Sequence, residues 1–218
     1  MTTSAIFGKA VCLCAIVVLL AGCMALPKRH AAIFQEPPLE PKGTVPLKAG
    51  LMTFRDVRPP AEREAWPEFP DLSERATLQM LMDWSDARLF TFIGHVSEPK
   101  GADVILRGEI RSFQWKPRYR WAPYVPGLAF LAALGVPVAS STAQVEIALE
   151  VLDPKKDQPI ASYDKAARSS QNYWVYRYQD SHAGSDLEAD SAFRRVADGL
   201  QTAILADRDR ILAAVKGP

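Results

Sequence analysis

A short apolar leader fixes where folding can begin. Lys9 supplies a positive charge, Ala10 to Leu20 form a greasy run, and the small residues Ala21 and Gly22 precede Cys23. A positive start, an apolar stretch of about 7 to 15 residues and a small-residue exit make a secretory signal. A membrane-spanning helix needs about 20 apolar residues, whereas this run breaks at Pro27, Lys28 and Arg29. The other two cysteines, Cys12 and Cys14, lie inside the leader. Cleavage before Cys23 therefore leaves a body without an internal disulfide framework. An exported body of that kind holds together by its hydrophobic core alone.

Leu20-Ala21-Gly22-Cys23 resembles the bacterial lipobox, in which the cysteine is lipidated and becomes the mature N-terminus. The resemblance implies a lipoprotein with residues 1–22 as signal peptide and Cys23 as the acylated, palmitate-bearing residue. One acyl chain binds a membrane only marginally; lipoproteins of this family carry three, which implies a permanent tether. Met24 rather than Asp follows the cysteine. In enteric-type bacteria an Asp there favours inner-membrane retention, so the resemblance implies an outer-membrane protein facing the periplasm.

The whole chain holds 26 Lys and Arg against 25 Asp and Glu, and Lys9 is the only charge in the leader. The body is therefore balanced, which excludes the electrostatic footprint of a nucleic-acid binder. At neutral net charge a protein tends to self-associate, so a homo-oligomer stays open. Residues 23–43 hold Pro27, Pro37, Pro38 and Pro41 and read as an extended tether, with His30 a solvated part of it. Residues 44–218 are of single-domain size.

Within that domain, Val45 to Phe54 reads as a first strand, followed by a Pro59-Pro60 loop running through Glu68. Asp71 with Glu74 suggests a capping box and a helix to about Leu89, with Leu78, Leu81, Met82, Ser85 and Leu89 as its inner stripe. Phe90 to Val96 reads as a short strand. Ala102 to Trp115 alternates: Val104, Leu106, Gly108 and Ile110 on one face, Ile105, Arg107, Glu109 and Arg111 on the other. Thr142 to Asp153 matches it, and the cluster Asp153-Pro154-Lys155-Lys156-Asp157 turns the chain into a returning strand, Ile160 to Ala167. Ser185 and Glu188 suggest a second capping box, opening one long helix from about Asp186 to Ala214. Its stripe is Phe193, Val196, Leu200, Ile204, Ile211 and Val215. The expected fold is an α+β two-layer sandwich: a mainly antiparallel sheet with one mid-chain helix and a long C-terminal helix on one face.

Three phrases, Phe54-Arg55-Asp56-Val57-Arg58, Ala102 to Ile110 and Val145 to Asp153, are similar to periplasmic domains of the curli-secretion channel lipoprotein and related envelope assembly lipoproteins. The resemblance covers most of residues 45–167 and implies a non-enzymatic role in envelope assembly, secretion or transport, with an envelope protein as partner. The chain departs from it at an apolar insertion, about residues 121–141, where Trp121 to Val145 carry no charge. Curli-type channels place a membrane-crossing hairpin near here. This segment does not alternate, and Pro123, Pro126 and Pro137 remove strand hydrogen bonds. A ring-forming channel subunit is thus the less favoured alternative, and a short helix over 127–134 fits better.

Aromatic residues flank the insertion: Trp115, Tyr119, Trp121 and Tyr124, with Phe130 and Leu131 inside it. A second cluster, Tyr173, Trp174, Tyr176 and Tyr178, follows the hairpin. Trp and Tyr suit boundaries that are dry on one side and wet on the other. Together these residues form the candidate surface for a partner or a bilayer, against the alternative that they only cover the sheet.

Signatures of catalysis are scarce. There is no G-x-S-x-G elbow, no H-E-x-x-H helix and no Gly-rich phosphate loop. His95 lies in an apolar run, and His182, near Asp180 and Asp186, reads as loop rather than metal ligand. Asp56, Arg55 and Arg58 suggest a surface ion pair or a cap on the following turn rather than acid-base work. The reading is a non-catalytic module with no cofactor and no metal; the alternative is a periplasmic enzyme whose site is assembled from distant residues.

Overall fold

The computed structural model describes residues 39–65, 71–98, 101–119, 135, 137, 139–173 and 184–216. The leader, Cys23, most of the tether and most of the apolar insertion lie outside them. The strands are β1 (Val45–Leu51), β2 (Arg55–Asp56), β3 (Phe90–His95), β4 (Val104–Tyr119), β5 (Ala139–Asp153) and β6 (Gln158–Tyr173). The helices are α1 (Pro60–Ala65), α2 (Leu72–Asp86), α3 (Gly184–Ala206) and α4 (Arg208–Lys216). The sheet runs β3-β1-β4-β5-β6, with β2 also beside β4.

The class is α+β, and the sheet is mixed and open: its long pairings are antiparallel as expected, and its shorter ones are parallel. β1 lies parallel to both β3 and β4, and β2 parallel to β4. β4, β5 and β6 form the long antiparallel part. The difference follows from the connections. A tight turn at 154–157 forces β5 and β6 to run opposite ways, whereas α2 returns the chain so that β3 starts at the same end as β1. The inward rows of β4 and β5 are those expected, Val104, Leu106 and Ile110 against Val145, Ile147, Leu149 and Val151, and all are buried. They share one hydrophobic cluster with α2 and with Phe193, Val196, Leu200, Ile204 and Ile211 of the C-terminal helices.

A bulge interrupts β4. Its register against β5 shifts between Ile110 and Ser112, with Arg111 as the extra residue. One extra residue moves every later side chain to the other face. The inward row therefore changes from Ile110 to Phe113 and Trp115.

Several expected local features take other forms. Residues 60–65 form a helix instead of a loop; Pro60 stands at its first position, where a missing N–H costs nothing. Asp71 precedes α2 without a side-chain capping bond. Ser185 falls inside α3, which starts at Gly184, so it is not its cap. The C-terminal helix divides at Asp207, although Asp207 N–H still donates to Ala203 O at 3.1 Å and Ile211 N–H to Asp207 O at 3.0 Å.

The inner face of α2 is also different. Leu72, Ala76, Met80 and Trp84, spaced four apart, are buried with Thr77 and Asp83. Leu78 and Met82 are 46% and 59% exposed, and Ser85 is exposed. Both faces carry apolar side chains, and the sheet takes the one with Trp84, which is fully enclosed.

Candidate functional site

Of the expected aromatic surface, Trp115 alone has a described side chain. It is 8% exposed and belongs to the core, because the bulge at Arg111 turns it inward. Tyr119 and Tyr173 end β4 and β6, and both pair with Ala139 of β5, Tyr119 from one side and Tyr173 from the other. The two expected clusters are thus anchored on strands that flank β5, at the same end of the sheet. Trp121, Tyr124, Phe130, Leu131, Trp174, Tyr176 and Tyr178 lie outside the described residues, as do Cys23, Asp180 and His182.

A polar strut occupies the place where β2 stops and β4 continues. Arg58 is buried and grips Asp56 with two bonds, Nε to Oδ1 at 2.9 Å and Nη2 to Oδ2 at 2.8 Å. Its Nη1 reaches Phe113 O at 3.5 Å. From α1, Glu62 accepts the Phe113 N–H at 2.6 Å, the Gln114 amide at 2.9 Å and the Ser112 hydroxyl at 3.3 Å. Side chains of Arg58 and Glu62 thus meet the carbonyl and the N–H of Phe113 as a neighbouring strand would. Burial opposes ionisation of Asp56, but its hydrogen bonds and charge contact with Arg58, helped by Arg63, outweigh that and hold its carboxyl below the ordinary range. The pair of Asp56 with Arg58 is an internal brace rather than the surface ion pair expected, because the Arg58 side chain is buried against β4, while Arg55 pairs with Glu109 at the surface.

A second feature is a shallow cleft of about 370 Å³ at the β3 edge, lined by Thr44, Ser85, Arg88, Phe90, Thr91, Phe92 and Ile93. Phe92 is 60% exposed, and its ring lies beside Gly94, where a Cβ would come within 3.1 Å of it. Arg88 has φ 52, in the left-handed region. It closes α2: Leu89 N–H bonds Trp84 O at 3.0 Å and Arg88 N–H bonds Ser85 O at 3.1 Å, the double closure usually made by glycine. Sequence reasoning missed this cleft. The signal available was the absence of Gly after a helix that ends abruptly before Leu89-Phe90.

Chemically, the cleft offers one cation, two hydroxyl-bearing threonines, a serine and aromatic surface, with no carboxylate or imidazole in its wall. Among the described residues this wall holds no base-nucleophile pair. His95 is tied to Thr53 Oγ1 at 2.9 Å on the sheet edge. Tyr163 donates to Asp207 Oδ2 at 3.0 Å, and Asp207 also pairs with Arg210. Burial first, then the Asp207 bond and charge, push the Tyr163 hydroxyl up to about 12, so it stays a donor and pins the α3–α4 joint to β6. Among the described residues, no group of three or more His, Cys, Asp or Glu is placed to hold a metal ion. No helix among them is long and apolar enough to cross a membrane.

No family model matches the chain, and no curated protein matches it. Among solved structures it is similar to protein XCC0632 from Xanthomonas campestris, at 10% identity and a TM-score of 0.44, over 83% of this chain and 95% of that one. It is also similar to a PelC dodecamer from Paraburkholderia phytofirmans, at 15% identity and 0.39, over 76% and 92%. A third is the uncharacterized lipoprotein B from Nitrosomonas europaea, at 12% identity and 0.41, over 75% and 88%. Scores and identities this low establish neither a shared family nor a shared role.

Proposed function

We propose that this chain is a lipid-anchored envelope lipoprotein acting as a non-catalytic interaction module in outer-membrane assembly, secretion or transport. The observation that carries the reading is Leu20-Ala21-Gly22-Cys23 closing a short apolar leader that also contains every other cysteine. The Met24 that follows favours the outer membrane, with the body facing the periplasm. Two features of the described body support this reading: Asp56, Arg58 and Glu62 are taken up in an internal brace, and the described wall of the cleft carries no carboxylate or imidazole. The partner surface proposed is the aromatic end of the sheet, where Tyr119 and Tyr173 flank β5 and lead into Trp121 and Trp174.

Crosslinking in intact cells, with identification of the captured protein, tests this role. The expected result is capture of an envelope protein by the wild type, lost when Trp121 and Trp174 are both replaced by alanine. Unchanged capture by a stably folded double variant removes the aromatic end as the binding surface. Turnover of a small-molecule substrate by the purified chain would replace the module with the enzyme alternative. A closed ring in native mass measurements would favour the channel-like one.

A further inference from the structure

We propose that Asp83 makes the seam between α2 and α3 a proton-operated latch, closed while this carboxyl is neutral and loosened when it ionises. Asp83 on α2 and Asp190 on α3 are 6% and 4% exposed, on helices that pack together. Among the described residues Asp83 accepts a side-chain hydrogen bond from the neutral amide of Gln79 at 2.8 Å. Charged groups among them that act on it include Asp86 on its own helix and Asp190 and Arg194 on α3, of which Arg194 is of opposite sign. Ionised Asp83 therefore places a charge in a nearly solvent-excluded seam, against the helix that carries the buried Asp190. A buried charge so placed is costly, and taking up a proton relieves it.

The ionisation of Asp83 agrees in direction. Burial is the largest cause pushing its carboxyl up to about 6, with the Gln79 bond and Arg194 opposing and Asp190 and Asp86 adding to it. A group raised in the folded state contributes stability that is fully present below its unfolded value of 3.8 and is lost as pH rises through about 6. The next residue delivers the effect to the core. Trp84 is fully buried, and its Nε1 donates to Ala197 O on α3 at 3.4 Å. Charging Asp83 thus strains the aromatic anchor that joins the two helices. The latch does not depend on lipid at Cys23.

Hydrogen exchange of the full chain in detergent micelles, read by mass spectrometry near pH 5 and near pH 7.5 and corrected for intrinsic rates, tests it. Segments 72–86 and 188–200 of the wild type should open about tenfold more at the higher pH, the factor that about one pKa unit of coupling supplies. In Asp83→Asn that difference should fall below about twofold. Equal opening at both pH values in the wild type, or an undiminished difference in the variant, overturns the latch. Should the variant not fold, carbon-13 titration of the Asp83 carboxyl in the wild type decides: a midpoint near 6 supports it, and one at or below 4 overturns it.

Discussion

At Gly108 of β4 the side chain is absent because Phe54 needs the space: a Cβ there would lie 2.5 Å from the Phe54 ring. Gly108→Ala should destabilise the fold by about 1–3 kcal/mol, read as a lower urea midpoint, with part of the loss restored by a smaller residue at position 54. Asp56 sets a second test. Removing its carboxylate strands the buried Arg58 guanidinium, so Asp56→Ala should cost about 2–4 kcal/mol in the same assay. The two internal carboxylates also respond to pH with opposite signs. Asp56, held low, contributes stability above the ordinary carboxylate range that is lost as pH falls through its lowered value, whereas Asp83 loses stability as pH rises. The inward residues of β4 up to Ile110 were legible from alternation. Trp115 was not, because one extra residue at Arg111 reverses the face and leaves no mark on the sequence pattern.

At the level of elements, α2 shows how an apolar stripe can mislead. Leu78, Leu81 and Met82 recur at helical spacing, yet Leu78 and Met82 face outward, while Ala76, Met80 and Trp84 are buried. A helix with apolar side chains on two faces is assigned its inner one by what it packs on, and the volume of Trp84 decides it here. Met80→Ala should therefore cost about 2–5 kcal/mol, while Met82→Lys should stay within about 0.5 kcal/mol of wild type; chemical unfolding of both distinguishes the faces. The strands β5 and β6 were readable because their turn is local in sequence. The parallel placing of β1 beside β3 and β4 was not, since short apolar runs do not name their neighbours. The α3–α4 joint at Asp207 was hidden too: the side chain there is held by Tyr163 from a distant strand.

For the molecule as a whole, the order of the longer elements and the α+β class were legible, whereas β2, α1 and the division of the last helix were not, and the mixed topology emerged only with the pairings. Only Trp115 of the candidate surface has a described side chain, and it is core; the surface was read from aromatic clustering, which packing and binding share. The proposed role follows from where the body is held, and so from the anchor at Cys23. A wild-type and a Cys23→Ser chain, expressed in the same cells and separated into membrane and soluble fractions, test it directly, with intact mass of the purified wild type. The expected result is a membrane-bound wild type whose mature chain starts at an acylated Cys23, and a variant that leaves the membrane fraction or retains its leader uncleaved without acyl groups. A wild-type chain starting at Met1 with an unmodified Cys23 thiol would contradict it.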